Sequence, residues 1–577
     1  MASPRRRSVP LPLLLLVFPV SLFVVLLLHH RSSGPAAALL SGAGPSPDPD
    51  PRRFSFLIKI LAEADAFRWP HGEKRVHYRA ANAGLQAQWI EAWWPGSDDE
   101  FAFVVEDDLE VSPLYYRFLK RVVMTYYYDR KNYSPFVFGA SLQRPRFVAA
   151  PQLESMEMIK LTEIKLDVPF YFYYLLASHV SMVGTWGQLL FPKPWKEFRL
   201  WYDEHKSKGI KPILEGMKTT GWYKKMGERI WTPWFIKFVH SRGYFNFYTN
   251  FLKERALSVS HRDAGVNYGK SVGPDSTLLD GKNLDFNIWE LQPLNKLKWY
   301  DFCFSEVLPG RVVRKFSELG SVLNSVQLEN NIVLISLYSI EQRIARNMIC
   351  HLEKAGMQNY IFLVSNPQFQ DDLAHRGHPV IDGTGLLQSI KMSNSMYSDD
   401  FVEEIMVKAH VVKKCLDLGY NVWVLNGNMI SLGSKLIEPS DQSVDLFAAE
   451  SVDLIFLRGS QSSKKTWNEL VILRMGDGLM SSKSDFYSSL ERKNFVGMLT
   501  KVLGSKGDVR VGKLDEIVPV ELGPHTSNRS LSEGHCKVIF WSHGMASDSV
   551  QSQLENMGLW LTDADSSCSA VVCSQKQ

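Results

Sequence analysis

The sequence predicts an α/β protein made of two successive units, each a mostly parallel sheet with flanking helices. Three observations carry that expectation. Short apolar runs such as Phe101 to Val105 and Ile332 to Leu337 have the length of buried strands, and helical stretches closed by glycine follow them. Three adjacent acids sit directly behind one such run, at Glu106-Asp107-Asp108. Twelve of the 16 Trp lie between Trp69 and Trp299, so the two halves of the chain differ in chemistry. With 577 residues, 65 Lys plus Arg, 61 Asp plus Glu and a net charge of +4, the chain lacks the charge excess of a nucleic-acid binder. Its six cysteines contain no Cys-x-x-Cys pair, which removes zinc-ribbon and thioredoxin readings. No Gly-x-Ser-x-Gly corner marks a hydrolase.

From the amino terminus, Arg5, Arg6 and Arg7 precede the uncharged stretch Val9 to Leu28. At about 1.5 Å per helical residue it is long enough for a hydrocarbon core of about 30 Å, so residues 9–28 are expected to be a transmembrane anchor behind a cytosolic tail, 1–8. The arginines then keep the amino terminus inside, giving a single-pass type II topology with membrane attachment through this helix. The rival is a cleaved signal peptide ending near Ala36-Ala37-Ala38. Residues 29–53, rich in Ser, Gly, Ala and Pro, read as a stalk. Asn132-Tyr133-Ser134 and Asn528-Arg529-Ser530 are glycosylation sequons.

The first α/β unit is expected over 54–304. In it Phe101 to Val105 reads as a strand buried on both faces, and Ser112-Pro113 opens a helix to about Met124. The acids are therefore confined to a strand-to-helix corner, the place where open α/β sheets put ligands. Adjacent carboxylates repel, and a hard cation such as Mn²⁺ or Mg²⁺ would relieve that repulsion; the alternative is a solvated acidic loop. Residues 305–330 read as a linker, 331–543 as a second α/β unit, and 544–577 as a polar, loosely ordered tail. In the second unit the expected order is strand Ile332 to Leu337, helix Glu341 to Ala355 stopped by Gly356, strand Tyr360 to Val364, helix Phe401 to Leu418 closed by Gly419, and strand Asn421 to Leu425.

Glu106-Asp107-Asp108-Leu109-Glu110-Val111 with Pro113, His77-Tyr78-Arg79 upstream and Trp93-Trp94-Pro95 between them resembles the luminal domain of N-acetylglucosaminyltransferase I and related plant Golgi glycosyltransferase-like proteins. The resemblance is specific from Val76 to Met124 and looser to about Lys270. It implies a GT-A fold, Golgi residence, a UDP-sugar donor, a glycan or glycoprotein acceptor and Mn²⁺. It also implies Asp108 as the metal ligand, Glu106 and Asp107 on the sugar nucleotide, and His77 against the uridine. His261 is a further metal candidate. The family's catalytic base falls where this chain has Trp231-Thr232-Pro233-Trp234, so no base is assigned; Glu228 and Asp203 are the nearby carboxylates considered. Trp231, Trp234 and Tyr244 lie in an aromatic-rich segment suited to stacking on sugar faces, and are expected to line an acceptor groove. The other reading of these rings is core. The second unit resembles the nucleotide-diphospho-sugar transferase domain of plant wall-modifying enzymes through Lys413-Lys414 and Gly419 to Leu425. Asn426-Gly427-Asn428 stands where that family carries Asp-x-Asp, so the module is expected to be non-catalytic. The leading expectation is thus a Golgi membrane glycosyltransferase. The alternative is a non-catalytic scaffold or lectin-like subunit.

Overall fold

The computed structural model describes residues 25–30, 53–57, 72–77, 84–106, 109–144, 176–180, 186–251, 255–261, 274, 276–279, 291–303, 306–307, 311–390, 400–432, 436, 438–449, 452–472, 494–504, 511–514, 517–523 and 536–571. The fold is mixed α/β with several sheets. The first unit is centred on an eight-stranded sheet in the order Glu306–Val307, Lys298–Tyr300, Leu176–Val180, Phe245–Asn250, Val137–Ser141, Gln188–Leu190, Glu100–Val104, Arg53–Leu57. It is not mostly parallel. Gln188–Leu190 runs antiparallel to both of its neighbours.

Helix α1 (Pro192–Ser207) and helix α2 (Thr232–Arg242) cover one face of this sheet with a layer that includes Trp195, Phe198, Trp201, Trp231, Trp234 and Phe235. Pro at the start of α1 fits a position whose N–H has no intrahelical acceptor, and Gly243 ends α2 at φ 67°. Rings of this size fill a thick layer between sheet and helices, which accounts for the tryptophan excess of this half of the chain.

The anchor expectation does not survive. Val25 to Leu28, the end of the supposed span, belong to the strand Val25–His30, which pairs antiparallel with Gly72–His77 from Val25↔His77 to His30↔Gly72. Residues engaged in a sheet ladder cannot close a spanning helix. An uninterrupted run of Val and Leu has no period that separates a strand from a buried helix. Among the described residues no helix is long and apolar enough to cross a membrane, so membrane attachment and the single-pass Golgi topology that rested on it are withdrawn. Val9 to Val24 and stalk residues 31–52 lie outside the described residues.

The second unit is an eight-stranded sheet in the order Val312–Val313, Val380–Asp382, Tyr360–Val364, Asn331–Ser336, Asn421–Asn426, Leu454–Leu457, Leu446–Ala449, Val511–Lys513. Its first five strands are parallel. Helices α3 (Gln342–Lys354), α4 (Pro367–His375) and α5 (Asp400–Asp417) connect strands of this sheet. The supposed linker is part of this unit. The helix Phe316–Val326 buries Leu319 and Leu323 in the same core as Leu334 and Val411.

The carboxyl-terminal segment is also not a loose tail. After the helix Ser547–Asn556, residues 559–571 form a strap that touches both units. On the second unit, Asn347 Nδ2 donates to the Leu559 carbonyl (3.1 Å), Leu561 N donates to Asn347 Oδ1 (2.6 Å), and Cys568 is disulfide-bonded to Cys350 of α3. On the first unit, Asp563 pairs with Lys237 of α2, while Asp565 accepts from Trp201 Nε1 (3.0 Å) and meets His205 Nε2 (3.1 Å). The main chain of Val571 and Ser569 bonds with Glu215. Acidic side chains spaced along a polar sequence look like solvated tail until their buried partners are known.

The units also meet at the end of α4. Arg376 holds Asp372 with Nε (3.3 Å) and donates across the boundary to the carbonyls of His240 (3.3 Å) and Ser241 (2.9 Å). Burial first, and then the Arg376 charge, lowers His375 to about 3 and His378 to about 4. Burial, with Lys237 and Arg376 nearby, lowers His240 to about 3.

Two predictions follow from this arrangement. For the 218-residue separation of Cys350 and Cys568, restriction of the unfolded chain is worth up to about 5 kcal/mol. Cys350→Ser should therefore lower the melting temperature and split a single transition into two, which calorimetry under non-reducing conditions would detect. The three histidines have native pKa values below their unfolded value of about 6.5, so the native state binds fewer protons. Their contribution is intact above pH 6.5 and is lost as pH falls toward 4. A melting-temperature series over that range should decline, and a flat series would contradict the burial of these imidazoles.

Candidate functional site

The strand Glu100–Val104 is buried along its whole length, and its side chains alternate between two cores. Phe101 and Phe103 pack with Phe118, Leu119 and Val122, whereas Ala102 and Val104 face Trp89, Trp195 and Trp231. With both faces apolar, charge can appear only beyond the strand's end, which places the acids at the corner. Glu106 Oε1 accepts from Trp89 Nε1 at 3.1 Å, and Leu109 N closes the turn on the Glu106 carbonyl at 3.3 Å. The chain then forms the short strand Leu109–Val111, antiparallel to Ser258–Ser260, with Glu110 opposite Val259. This pairing carries His261 to the corner. Its Nε2 lies 2.7 Å from Glu110 Oε2, and both side chains are more than half exposed. Ser112 accepts from Leu114 N (3.2 Å) as the next helix begins.

Of the residues expected here, the structure thus turns Glu106 to Trp89 and pairs His261 with Glu110. Sequence reasoning had no reason to single out Glu110, because its partner is 151 residues away. Asp107 and Asp108 lie outside the described residues, as does the side chain of His77 on the strand Gly72–His77. Among the described residues no group of three or more His, Cys, Asp or Glu could hold a metal ion. Glu106 is engaged by Trp89 and Glu110 by His261, so no step through a metal is derived at this corner.

Glu228 is a structural hub rather than a base. Its carboxylate accepts from Tyr223 (2.5 Å), Gln86 (2.8 Å) and Trp234 Nε1 (3.3 Å), and pairs with Lys206 (2.9 Å). Burial alone would raise its pKa, but the bonds from Lys206, Tyr223 and Gln86 outweigh that and hold the carboxyl below its ordinary range. A carboxylate so saturated has no capacity to take a substrate proton. Asp203 is exposed on α1. The expected acceptor groove is not a groove. Trp231 and Trp234 are each 1% exposed and Tyr244 is buried, its hydroxyl donating to Glu197 at 2.6 Å. Trp89 stacks on Trp231 with centroids 4.2 Å apart, so an indole pair in the core connects the acidic corner to the helix layer. Among the described residues the exposed indoles are Trp94 and Trp222.

In the second unit, Asn426-Gly427-Asn428 lies at the carboxyl end of Asn421–Asn426, next to Ser336 of the neighbouring parallel strand. This is the point where the strand order reverses, since the chain adds strands on one side of Asn331–Ser336 and then crosses to the other. The place is filled from within. Lys408 of α5, only 2% exposed, directs Nζ to Asn426 Oδ1 (2.6 Å) and to Glu404 Oε1 (2.6 Å). Asn426 Nδ2 donates to Asp453 Oδ2 (2.6 Å), and Asn428 Nδ2 donates to the Trp541 carbonyl (2.7 Å). Burial raises the Asp453 pKa, an effect opposed by Lys408. The residues do not fit a divalent ion. One buried oxygen, Asn428 Oδ1, lacks a partner among the described residues, but the ammonium of Lys408 occupies the oxygen of Asn426 that a cation would use.

Restoring the acids by Asn426→Asp with Asn428→Asp should therefore produce no Mn²⁺ binding heat in calorimetry, because Lys408 remains. Lys408→Met leaves Glu404 and Asp453 without their cation and should cost about 3–5 kcal/mol of stability by denaturant titration.

A family model described as the SPBC1E8.03c C-terminal domain matches residues 57–202. No curated protein matches the chain. The matched stretch is about a quarter of the sequence and includes Glu106, Glu110 and most of helix α1 but not His261, and it does not assign the chain to a family.

Proposed function

We propose that this chain is a binding protein for a hydroxyl-rich ligand, which it takes at the corner formed by Glu110 and His261, with the second unit serving as a non-catalytic partner module. The observation that supports this reading most is the Glu110–His261 pair. Two strands far apart in sequence present a carboxylate and an imidazole together, exposed, beyond the end of a fully buried strand. Such a pair offers both acceptors and a donor to a polyol. An exposed side-chain contact of this kind contributes little to stability by itself. The second unit supports the division of labour, because the corresponding end of its sheet is closed by Lys408.

A second reading of the same corner is enzymatic. One imidazole nitrogen of His261 is held by Glu110, which fixes the ring and leaves the other nitrogen for a ligand hydroxyl, as a general base requires. No residue other than His261 is offered for that role.

The test is calorimetric titration of the full chain with a panel of monosaccharides, oligosaccharides and nucleotide sugars, with and without Mn²⁺. At least one polyol should bind, and His261→Ala and Glu110→Gln should each weaken it at least tenfold with melting temperatures unchanged. If no panel member binds, or both variants bind as the parent does, the corner is not a ligand site. Turnover of the bound compound that disappears in His261→Ala but survives in Asp203→Asn would favour the enzymatic reading.

A further inference from the structure

Between the two units lies a cavity of about 460 Å³, a size typical of small-molecule sites. Three helix ends form much of its wall. Gly243 follows α2, Gly356 follows α3 and Gly377 follows α4, and all three line the cavity with φ of 67°, 68° and 92°. Glycine takes this left-handed conformation without strain, and it lets each helix stop at the cavity edge. Helix carboxyl ends carry negative partial charge in their last carbonyls; Arg376 answers that of α2 through the His240 and Ser241 carbonyls, and the ends of α3 and α4 still favour a cation in the space.

The side chains sharpen this preference. Glu353 stands in the last turn of α3 and Asp301 faces it from the first unit, both at the cavity wall. An acid at the carboxyl end of its own helix is unfavourable unless a cation compensates it. Arg376 is the nearest built-in cation, but Asp372 and the carbonyls of His240 and Ser241 already engage its guanidinium. Arg311 is the other cation on the wall. His378 lies 3.9 Å from Glu353, with Nδ1 on the Tyr360 hydroxyl at 2.8 Å. His240 keeps Nδ1 unpartnered among the described residues. Both imidazoles are neutral near pH 7, since burial lowers them to about 4 and about 3. Phe245, Phe302 and Tyr360 add aromatic surface, which attracts cations at its faces.

We propose that the cavity between the units binds a small organic cation, a primary ammonium or guanidinium compound, with Glu353 as its counter-ion. Glu353 keeps 41% of its side chain open to the cavity, so it can meet a ligand. Desolvation at the cavity wall raises its pKa to about 7, with Arg376 lowering it and Asp301 raising it. A cation entering the site draws Glu353 into its ionised form and releases a proton where the acid was protonated. Affinity therefore rises with pH through about 7 and levels off above it. This site is separate from the acidic corner, and its test does not depend on that reading.

The experiment is calorimetry of the full chain with putrescine, agmatine and the neutral analogue 1,4-butanediol, at pH 6 and pH 8. The amines should bind about tenfold more tightly at pH 8 than at pH 6, following the ionised fraction of an acid with a pKa of about 7. Butanediol should not bind. Glu353→Gln should weaken amine binding at least tenfold and remove the pH dependence. If that variant fails to fold, Asp301→Asn should weaken binding about threefold. Absence of amine binding at pH 8, equal binding of butanediol, or unchanged binding in the variant that folds would overturn the proposal.

Discussion

Lys237 lies in the aromatic layer of the first unit with only 4% of its surface exposed, and an ammonium cannot remain charged there without a carboxylate at contact distance. Asp563 supplies it. That carboxylate is on the far side of the second unit in sequence, so the pairing draws the end of the chain back across the first unit. Much else follows from this one constraint. Asp565 reaches Trp201 and His205 because Asp563 is fixed two residues before it, and Cys568 meets Cys350 because the strap runs over α3 on its way. The two units share a boundary because the carboxyl terminus belongs to both.

The same sheet logic is used twice with opposite electrostatics. In each unit a parallel strand with both faces buried delivers its first polar residues at the carboxyl end, where neighbouring elements converge. In the first unit the corner leads to Glu110, which pairs with His261 of another strand, both open to solvent. In the second the strand's first polar residues are amides facing a lysine from the adjoining helix, which also holds Glu404 inside the fold. The first arrangement leaves hydrogen-bonding capacity for a ligand. The second uses that capacity to join α5 to the strand ends and to the loop that carries Asp453.

Function therefore divides between a corner and a boundary. The boundary has a character of its own, because three helices end on it and Arg376 answers the end of only one of them through the His240 and Ser241 carbonyls. Arg376 illustrates how tightly the two roles are connected, since one guanidinium neutralises Asp372, satisfies two carbonyls of the opposite unit and sets the field felt by Glu353.

Elements whose pattern is local could be read directly from the sequence. The strand at Tyr360–Val364 and the helix ends at Gly356 and Gly419 need only apolar run length and a glycine at positive φ. The acids after Phe101 to Val104 were legible as a corner for the same reason, because a strand buried on both faces must end where charge begins. Other features depended on contacts that no local pattern encodes. An apolar stretch through Leu28 has one composition whether it spans a bilayer or pairs with Gly72–His77, and only the partner strand decides. Trp231, Trp234 and Tyr244 are amphipathic enough for a sugar platform or a core, and the packing of α1 against α2 made them core. Glu110 gained significance from His261, and Asp563 from Lys237, across separations of 151 and 326 residues. Sequence by itself determined the strands and helices whose pattern is local, such as Tyr360–Val364, because backbone preference and hydrophobic period act over a few residues. Tertiary structure decided which charges are buried, paired or left open, because desolvation and Coulomb attraction depend on neighbours that only the completed fold brings together.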